Sequence, residues 1–110
     1  MPTIFQQKVF NLLLALPAGK VTTYQAVARG LGVRSYRAIG QALKANQKPE
    51  EIPCYRIVKN DGRVGGYYGN NPCMISLKIE KLRKEGLVIE EAEAIKDSRI
   101  INLKKYLYYP

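Results

Sequence analysis

Apolar residues recur at helical spacing in the first stretch of the chain. Phe5, Val9, Phe10, Leu13 and Leu14 lie on one helical face, and Thr3 stands ahead of them as an N-cap. Pro17-Ala18-Gly19 ends this helix, which reads as a core element. Thr22 or Thr23 can cap a second helix, Tyr24 to about Gly30, with Val27 and Ala28 inward. Gly30-Leu31-Gly32-Val33 is a turn, and Ser35 caps a third helix from Tyr36 to about Ala45. Two short helices joined by a glycine-containing turn have the form of a helix-turn-helix.

A polar loop, residues 46–51, then delivers the chain to Ile52-Pro53-Cys54. Pro53 fixes its own φ and biases Ile52 toward an extended form. Tyr55-Arg56-Ile57-Val58 reads as a strand, Asn60-Asp61-Gly62 as a hairpin turn, and Arg63-Val64 as the returning arm. A glycine-rich loop bearing Tyr67 and Tyr68 leads to a fourth helix, capped by Asn71 with Pro72 at its first position. Met74, Ile75, Leu77, Ile79 and Leu82 supply its apolar face, Lys78, Lys81, Arg83 and Lys84 a solvated one, and Glu85-Gly86 its close. Leu87-Val88-Ile89 looks like a strand able to pair with Arg99-Ile100-Ile101. Asn102 caps a last turn, and Tyr106 to Tyr109 dock on the body. The expected fold is mostly α with short strands. It is a compact, winged-helix-like helix-turn-helix domain over 1–110, with a small β-hairpin carrying Cys54.

Composition narrows the chemistry. With 110 residues, 46% hydrophobic and 25% charged, the chain suits one modest core. No apolar run approaches a membrane span, and Leu12-Leu13-Leu14-Ala15-Leu16 is too short for one. An intracellular location is expected, cytoplasmic or, in a eukaryote, nuclear. The complete absence of histidine excludes Ser-His-Asp and Cys-His catalysis, and with only two cysteines leaves too few ligands for a structural zinc. No metal and no cofactor is expected.

Charge points to a partner. The formal net charge is +9, and no acidic residue precedes Glu50. Lys8, Lys20, Arg29, Arg34, Arg37, Lys44 and Lys48 stand before it without offset. A field of one sign over half a small domain suits a polyanion such as nucleic acid. The third helix adds Ala38, Gly40, Ala42 and Ala45, small residues that let its backbone approach a neighbouring helix or a nucleic-acid groove. Tyr36 and Arg37 open that helix, Arg34 precedes it and Lys44 lies near its end.

Cys54 is the candidate nucleophile, but composition leaves it open. A thiol reacts as the thiolate and needs a nearby cation, a helix N-terminus or a proton acceptor. Buried inert cysteine is the commoner case. Arg56, on an expected strand, need not face the sulfur. Cys73, at the start of the fourth helix, reads as a packing or incidental residue.

The motifs around Cys54 carry a resemblance. Pro53-Cys54-Tyr55-Arg56-Ile57 resembles the Pro-Cys-His-Arg-Val signature of the O6-alkylguanine-DNA alkyltransferases (methylated-DNA–protein-cysteine methyltransferases). Gly19-Lys20-Val21-Thr22-Thr23-Tyr24 resembles the family's Gly-x-Val-x-x-Tyr segment, and Arg37-Ala38-Ile39-Gly40 its recognition helix. Asn46 falls where the family has an asparagine, Val64-Gly65-Gly66-Tyr67-Tyr68-Gly69 resembles the active-site loop, and Glu85-Gly86 the end of the last family helix. The likeness runs over residues 3 to 90 and concerns the family's C-terminal, DNA-binding domain alone.

The resemblance implies a single-turnover methyltransferase that acts on duplex DNA containing O6-alkylguanine, as a monomer. The third helix would enter the minor groove, and Arg37 would fill the gap left by the flipped base. Cys54 would take the alkyl group, Tyr24 would donate a hydrogen bond to guanine N3, and Asn46 would orient the cysteine segment. Tyr24, Val64, Tyr67, Tyr68 and Gly69 would line the base pocket. One departure matters. The family's histidine beside the cysteine is Tyr55 here. Family members pass the thiol proton through that histidine to a glutamate that aligns with Glu85. With Tyr55, a relay requires the phenol to take a proton from Cys54 while giving its own to Glu85. Alkyltransferase-like proteins, which bind alkylated guanine without repairing it, usually carry tryptophan in place of the cysteine. Cys54 therefore favours repair, and lesion binding without transfer is the alternative. A plain helix-turn-helix regulator is the third reading.

Overall fold

A computed structural model describes residues 2–109. The first helix, α1 (Ile4–Leu14), opens with a capping box in which Thr3 and Gln6 bond each other's backbone amides. It stops short of Pro17, whose ring disfavours helix in the residue before it. Strand β1 (Thr22–Thr23) follows, and Thr23 caps α2 (Tyr24–Leu31). Gly32, at φ 69°, closes α2 in the left-handed conformation. Ser35 caps α3 (Tyr36–Lys44) through the amide of Ala38. Val9, Leu13, Val27, Ile39, Ala42 and Leu43 pack these three helices into one apolar cluster.

The expected strand over Tyr55–Val58 is only half formed. Cys54–Arg56 is a single 3-10 turn, and strand β2 is just Ile57–Val58. The Asn60-Asp61-Gly62 turn exists, closed by bonds between Lys59 and Arg63 and between Gly62 and Lys59. It does not make a hairpin carrying the cysteine, because β2 pairs in parallel with β1 and Arg63 bridges to Arg99. Neighbouring residues set the turn chemistry, but the partner strand lies more than thirty residues away. The β1–β2 pair forms the seam of the molecule. Ile57 points into the helical cluster, and Val58 into a second cluster with Val21, Val64, Ile75, Ile79 and Leu82.

Helix α4 (Pro72–Lys84) starts on the Asn71 cap with Pro72 at its first turn. Its buried face is Ile75, Lys78, Ile79 and Leu82, so two sequence expectations change. Leu77 is exposed, and Lys78 is fully buried rather than solvated. Strands β3 (Ile89–Glu90) and β4 (Arg99–Ile100) pair, as expected for these segments, and run antiparallel. After a short α5 (Leu103–Tyr106), the chain returns to β1. Val21 donates to the Tyr106 carbonyl at 2.9 Å and accepts from the Tyr108 amide at 2.8 Å. Among the described residues no helix is long and apolar enough to cross a membrane.

Candidate active site

Pro53 sets up the turn that presents Cys54. Its φ of −80° admits the Cys54–Arg56 3-10 turn, in which the Arg56 amide donates to the Pro53 carbonyl at 3.0 Å. Cys54 is 4% exposed and lines a cavity of about 200 Å³. Tyr24, Leu43 and Tyr67 wall it, Gly40 and Lys44 of α3 border it, and Gly69 closes it from the loop. The cavity thus lies between the α3 surface and the glycine-rich loop.

The thiol's hydrogen-bond partner is Tyr68. Cys54 Sγ donates to Tyr68 Oη at 3.6 Å, and Oη donates onward to the Asn46 carbonyl at 2.8 Å. The Asn46 side chain holds the segment ahead of the cysteine, giving Nδ2–H to the Ile52 carbonyl and taking the Lys48 amide, both at 2.9 Å. Tyr68 has φ 54°, one of two non-glycine residues in the left-handed region among those described. Its ring meets that of Tyr67 edge-on, centroids 4.8 Å apart. Burial, with the neighbouring cysteine, pushes the phenols of Tyr24, Tyr67 and Tyr68 above their ordinary pKa, so all three are protonated donors at neutral pH.

Tyr55 points elsewhere. Its hydroxyl donates to Glu85 Oε2. No hydrogen bond joins it to Cys54 among the described residues. Arg56 reaches the same carboxylate through Nε at 3.0 Å and Nη2 at 3.0 Å, and ties down the Leu16 carbonyl with Nη1 at 3.1 Å. The Gly19 amide adds a fourth donor at 2.8 Å. Burial raises the Glu85 pKa, but the bonds from Tyr55, Arg56 and Gly19 outweigh it, and the carboxyl is held below its ordinary value. Burial and the Glu85 bond push Tyr55 up. The resting arrangement is a neutral phenol on an ionised carboxylate.

Lys78, expected on the solvated face of α4, is fully buried behind the site. Its Nζ donates to the carbonyls of Ile57 at 2.7 Å, Val64 at 2.5 Å and Gly66 at 3.0 Å. It therefore ties β2 to the loop behind Cys54. Burial pushes its pKa down to about 7. The signal was available in the spacing, because Ile75, Lys78, Ile79 and Leu82 share one helical face. Val64, expected in the pocket, is instead fully buried in the second cluster and contributes its carbonyl to Lys78. Arg56 had no assigned task, and only tertiary structure brings it to Glu85.

On α3, Ile39, Ala42 and Leu43 face inward, while Tyr36, Arg37 and Lys44 are exposed. Ala38 and Gly40 are half-buried, and Ala42 is committed to the core. Arg34 is exposed just ahead of the helix. Tyr24 borders both the Cys54 cavity and a second depression beside Tyr36, Arg37 and Asn60. Cys73 is exposed, which removes a packing role.

Residues 4–87 match the family model described as 6-O-methylguanine DNA methyltransferase, DNA binding domain. The chain belongs to this family. Among methyltransferase relatives, the methylated-DNA–protein-cysteine methyltransferase of Methanothermobacter thermautotrophicus is 36% identical over 88 residues, 80% of this chain and 47% of that protein. A bifunctional methyltransferase/endonuclease of Picrophilus torridus is 38% identical over 101 residues, 91% of this chain and 30% of that protein. The chain spans about half, or less, of the length of these methyltransferase relatives. In structure it resembles S. pombe Atl1, solved in complex with damaged DNA containing O6-carboxymethylguanine. That likeness has a TM-score of 0.81 and 26% identity, covering 96% of this chain and 95% of Atl1. The O6-methylguanine-DNA methyltransferase of Pyrococcus kodakaraensis matches with a TM-score of 0.65 and 38% identity, over 76% of this chain and 47% of that one. The family's mostly helical fold with short strands is the fold of this chain.

Proposed function

We propose that this chain binds duplex DNA containing O6-alkylguanine and takes the alkyl group onto Cys54. The observation that carries the reading is the position of the thiol. Cys54 stands at a cavity bordered by Gly40 and Lys44 of α3, the helix with an exposed basic face. In this reading α3 lies in the minor groove, Arg37 fills the vacated base position, and the flipped guanine enters between Tyr24 and the Tyr67–Gly69 loop. The sulfur electron pair forms the new S–C bond while the C–O6 bond breaks with its electrons on the guanine. Tyr24, a protonated phenol on the cavity wall, donates a hydrogen bond to that leaving base. The thiol proton passes to Tyr55 as Tyr55 gives its own to Glu85. The second half of this relay matches an existing bond, and the first half requires Cys54 to turn from Tyr68 toward Tyr55. The thioether is not turned over, so each molecule acts once.

A second reading, lesion binding without transfer, has its own support. The thiol's present bond leads through Tyr68 to a backbone carbonyl, which cannot take up a proton. The likeness to Atl1 also covers nearly the whole chain.

Intact-mass measurement after incubation with O6-methylguanine DNA separates the two. A methyl-sized gain that Cys54→Ala abolishes is the expected result. Tight, lesion-selective binding with no gain in mass would replace transfer by sensing, and binding indifferent to the lesion would leave a general DNA-binding domain.

A further inference from the structure

Lys81 sits half-buried on α4, one helical turn before Glu85, with its ammonium against two aromatic rings. Nζ lies 5.3 Å from the Tyr55 ring centre and 5.8 Å from that of Tyr67. Both distances are within reach of the attraction between a cation and the negative face of a ring. Among the described residues Lys81 has no ion pair, and its ammonium has no hydrogen bond. Its neighbours Arg83 and Lys84 pair with Glu91 and Glu80. Arg56 also lies 5.5 Å from the Tyr55 ring centre, but its charge is matched by Glu85 at 3.0 Å. The unmatched positive charge beside Tyr55 is therefore that of Lys81. Of the two rings, Tyr55 bonds Glu85, and Tyr67 walls the Cys54 cavity beside the thiol.

We propose that Lys81 is a positioning residue for alkyl transfer, acting through Tyr55 by holding an uncompensated positive charge against its ring. This rests on the reading of Cys54 as alkyl acceptor and of Tyr55 as its proton relay. In that step the S–H bond breaks and its proton goes to Tyr55 Oη. The Tyr55 O–H proton goes to Glu85, and the sulfur electron pair forms the S–C bond as C–O6 breaks. Any lead of the second proton over the first leaves negative charge on the phenol, spread into its ring. A phenol is neutral or negative and never a cation, so that charge must be met from outside the residue. The groups around Tyr55 are Arg56 from its own turn, Lys81 and Glu85 from α4, and Tyr67 from the loop. Of these only Lys81 brings positive charge that no carboxylate already matches. In a partly buried site that charge is little screened by salt. Lys81 neither gives nor takes a proton in the step.

The test uses the full chain with Cys73→Ser, because Cys73 is exposed and would compete for thiol reagents. Lys81→Met removes the charge at nearly the same length, and Lys81→Arg keeps it. Single-turnover methyl transfer from O6-methylguanine DNA is followed by intact mass at saturating DNA and constant pH. Lys81→Met is expected to slow transfer about tenfold, the scale of one partly desolvated cation–ring contact, and Lys81→Arg to restore it within about twofold. In a Tyr55→Phe background, Lys81→Met should slow transfer by less than about twofold, because no phenol remains to take on charge. An unchanged rate in Lys81→Met overturns the proposal. A loss that Lys81→Arg does not restore also overturns it, since Lys81 then serves packing. So does a tenfold loss that persists in the Tyr55→Phe background, where the charge would be acting without Tyr55. If no protein takes up methyl, the transfer reading fails, and labelling of Cys54 by iodoacetamide decides Lys81 separately. There the sulfur forms an S–C bond, iodide leaves, and the thiol proton takes the same route. Labelling slowed by Lys81→Met, restored by Lys81→Arg and insensitive in the Tyr55→Phe background would keep the action of Lys81 on the thiol. Labelling indifferent to Lys81→Met would overturn it.

Discussion

The phenol of Tyr55 hydrogen-bonds the carboxylate of Glu85, thirty residues along the chain. Arg56, its immediate neighbour, grips the same carboxylate from another side. The 3-10 turn makes this possible, since adjacent residues in a strand would point to opposite faces. Two consecutive side chains therefore fasten the cysteine turn to the end of α4. Replacement of histidine by tyrosine keeps a hydrogen-bonded path to the glutamate but removes a group that can hold a positive charge.

If that path carries the thiol proton, Tyr55→Phe will slow alkyl transfer about a hundredfold, the lower range for loss of general acid–base help. Affinity for lesion-containing DNA should stay within about twofold, because Tyr55 faces Glu85 and not the α3 surface. Tyr55→His should restore transfer, with a rate that rises with pH near the ordinary imidazole value of about 6.5. Single-turnover rates across pH check both, and an unchanged rate in the Phe variant removes Tyr55 from the mechanism.

Glu85→Gln removes the proposed proton acceptor, and its effect on stability tests the anchor separately from the chemistry. Arg56 and Glu85 side chains are each 14% exposed, so neutralising one leaves a largely buried guanidinium without its counter-charge. A loss of about 3 kcal/mol is expected, read as a drop in urea midpoint. The pH dependence has a definite sign. The folded carboxyl lies below its ordinary value of 4.5, so its contribution is present above that value and fades as pH falls through the folded one. The gap in stability between wild type and Glu85→Gln should therefore be full at pH 7 and shrink in acid below pH 4.5.

Much of this could be read from local sequence, and the limits have a physical cause. The Thr3, Ser35 and Asn71 caps and the Pro72 start depend on neighbours within four residues, and all formed as expected. The left-handed Gly86 at the end of α4 is of the same kind. The parallel pairing of Thr22–Thr23 with Ile57–Val58 is not, because two-residue strands carry no periodicity to detect. The resemblance puts Tyr68 on the base pocket, but its place between Sγ and the Asn46 carbonyl depends on tertiary contacts that no local pattern shows. At Lys78 the helical position, shared with Ile75, Ile79 and Leu82, outweighs the residue type.

The burial of Lys78 has a measurable consequence. Three carbonyls accept from its Nζ, and only the ammonium has three N–H donors, yet full burial lowers its pKa to about 7. Between about 7 and the ordinary 10.5, the unfolded chain binds a proton that the folded chain releases. Stability should therefore rise with pH across this window, by at most about 1.4 kcal/mol per unit. Lys78→Met should abolish the slope between pH 7.5 and 9. It should also cost about 3 kcal/mol at pH 7, because it leaves buried carbonyls without donors. Urea titrations at several pH values read both effects, and a wild-type slope that survives in Lys78→Met assigns it to another group.

Gly40 separates folding from recognition within a single residue. It lies inside α3, where glycine is less favourable than alanine by about 1 kcal/mol. A Cβ built there meets nothing within 4 Å, so the fold offers no reason for its absence. The position borders the Cys54 cavity on the face that also carries Arg37 and Lys44, where a bare backbone permits close approach of a nucleic-acid groove. Gly40→Ala should raise the Tm by about 4 °C while weakening binding to lesion-containing DNA about tenfold. Gly40→Leu should weaken binding further without unfolding the chain, since a Cβ there starts in open space. Thermal melts and DNA titrations at fixed salt measure the two sides independently. Full affinity in Gly40→Leu would mean that the bare face of α3 does not meet DNA, and the basic surface would then need another role.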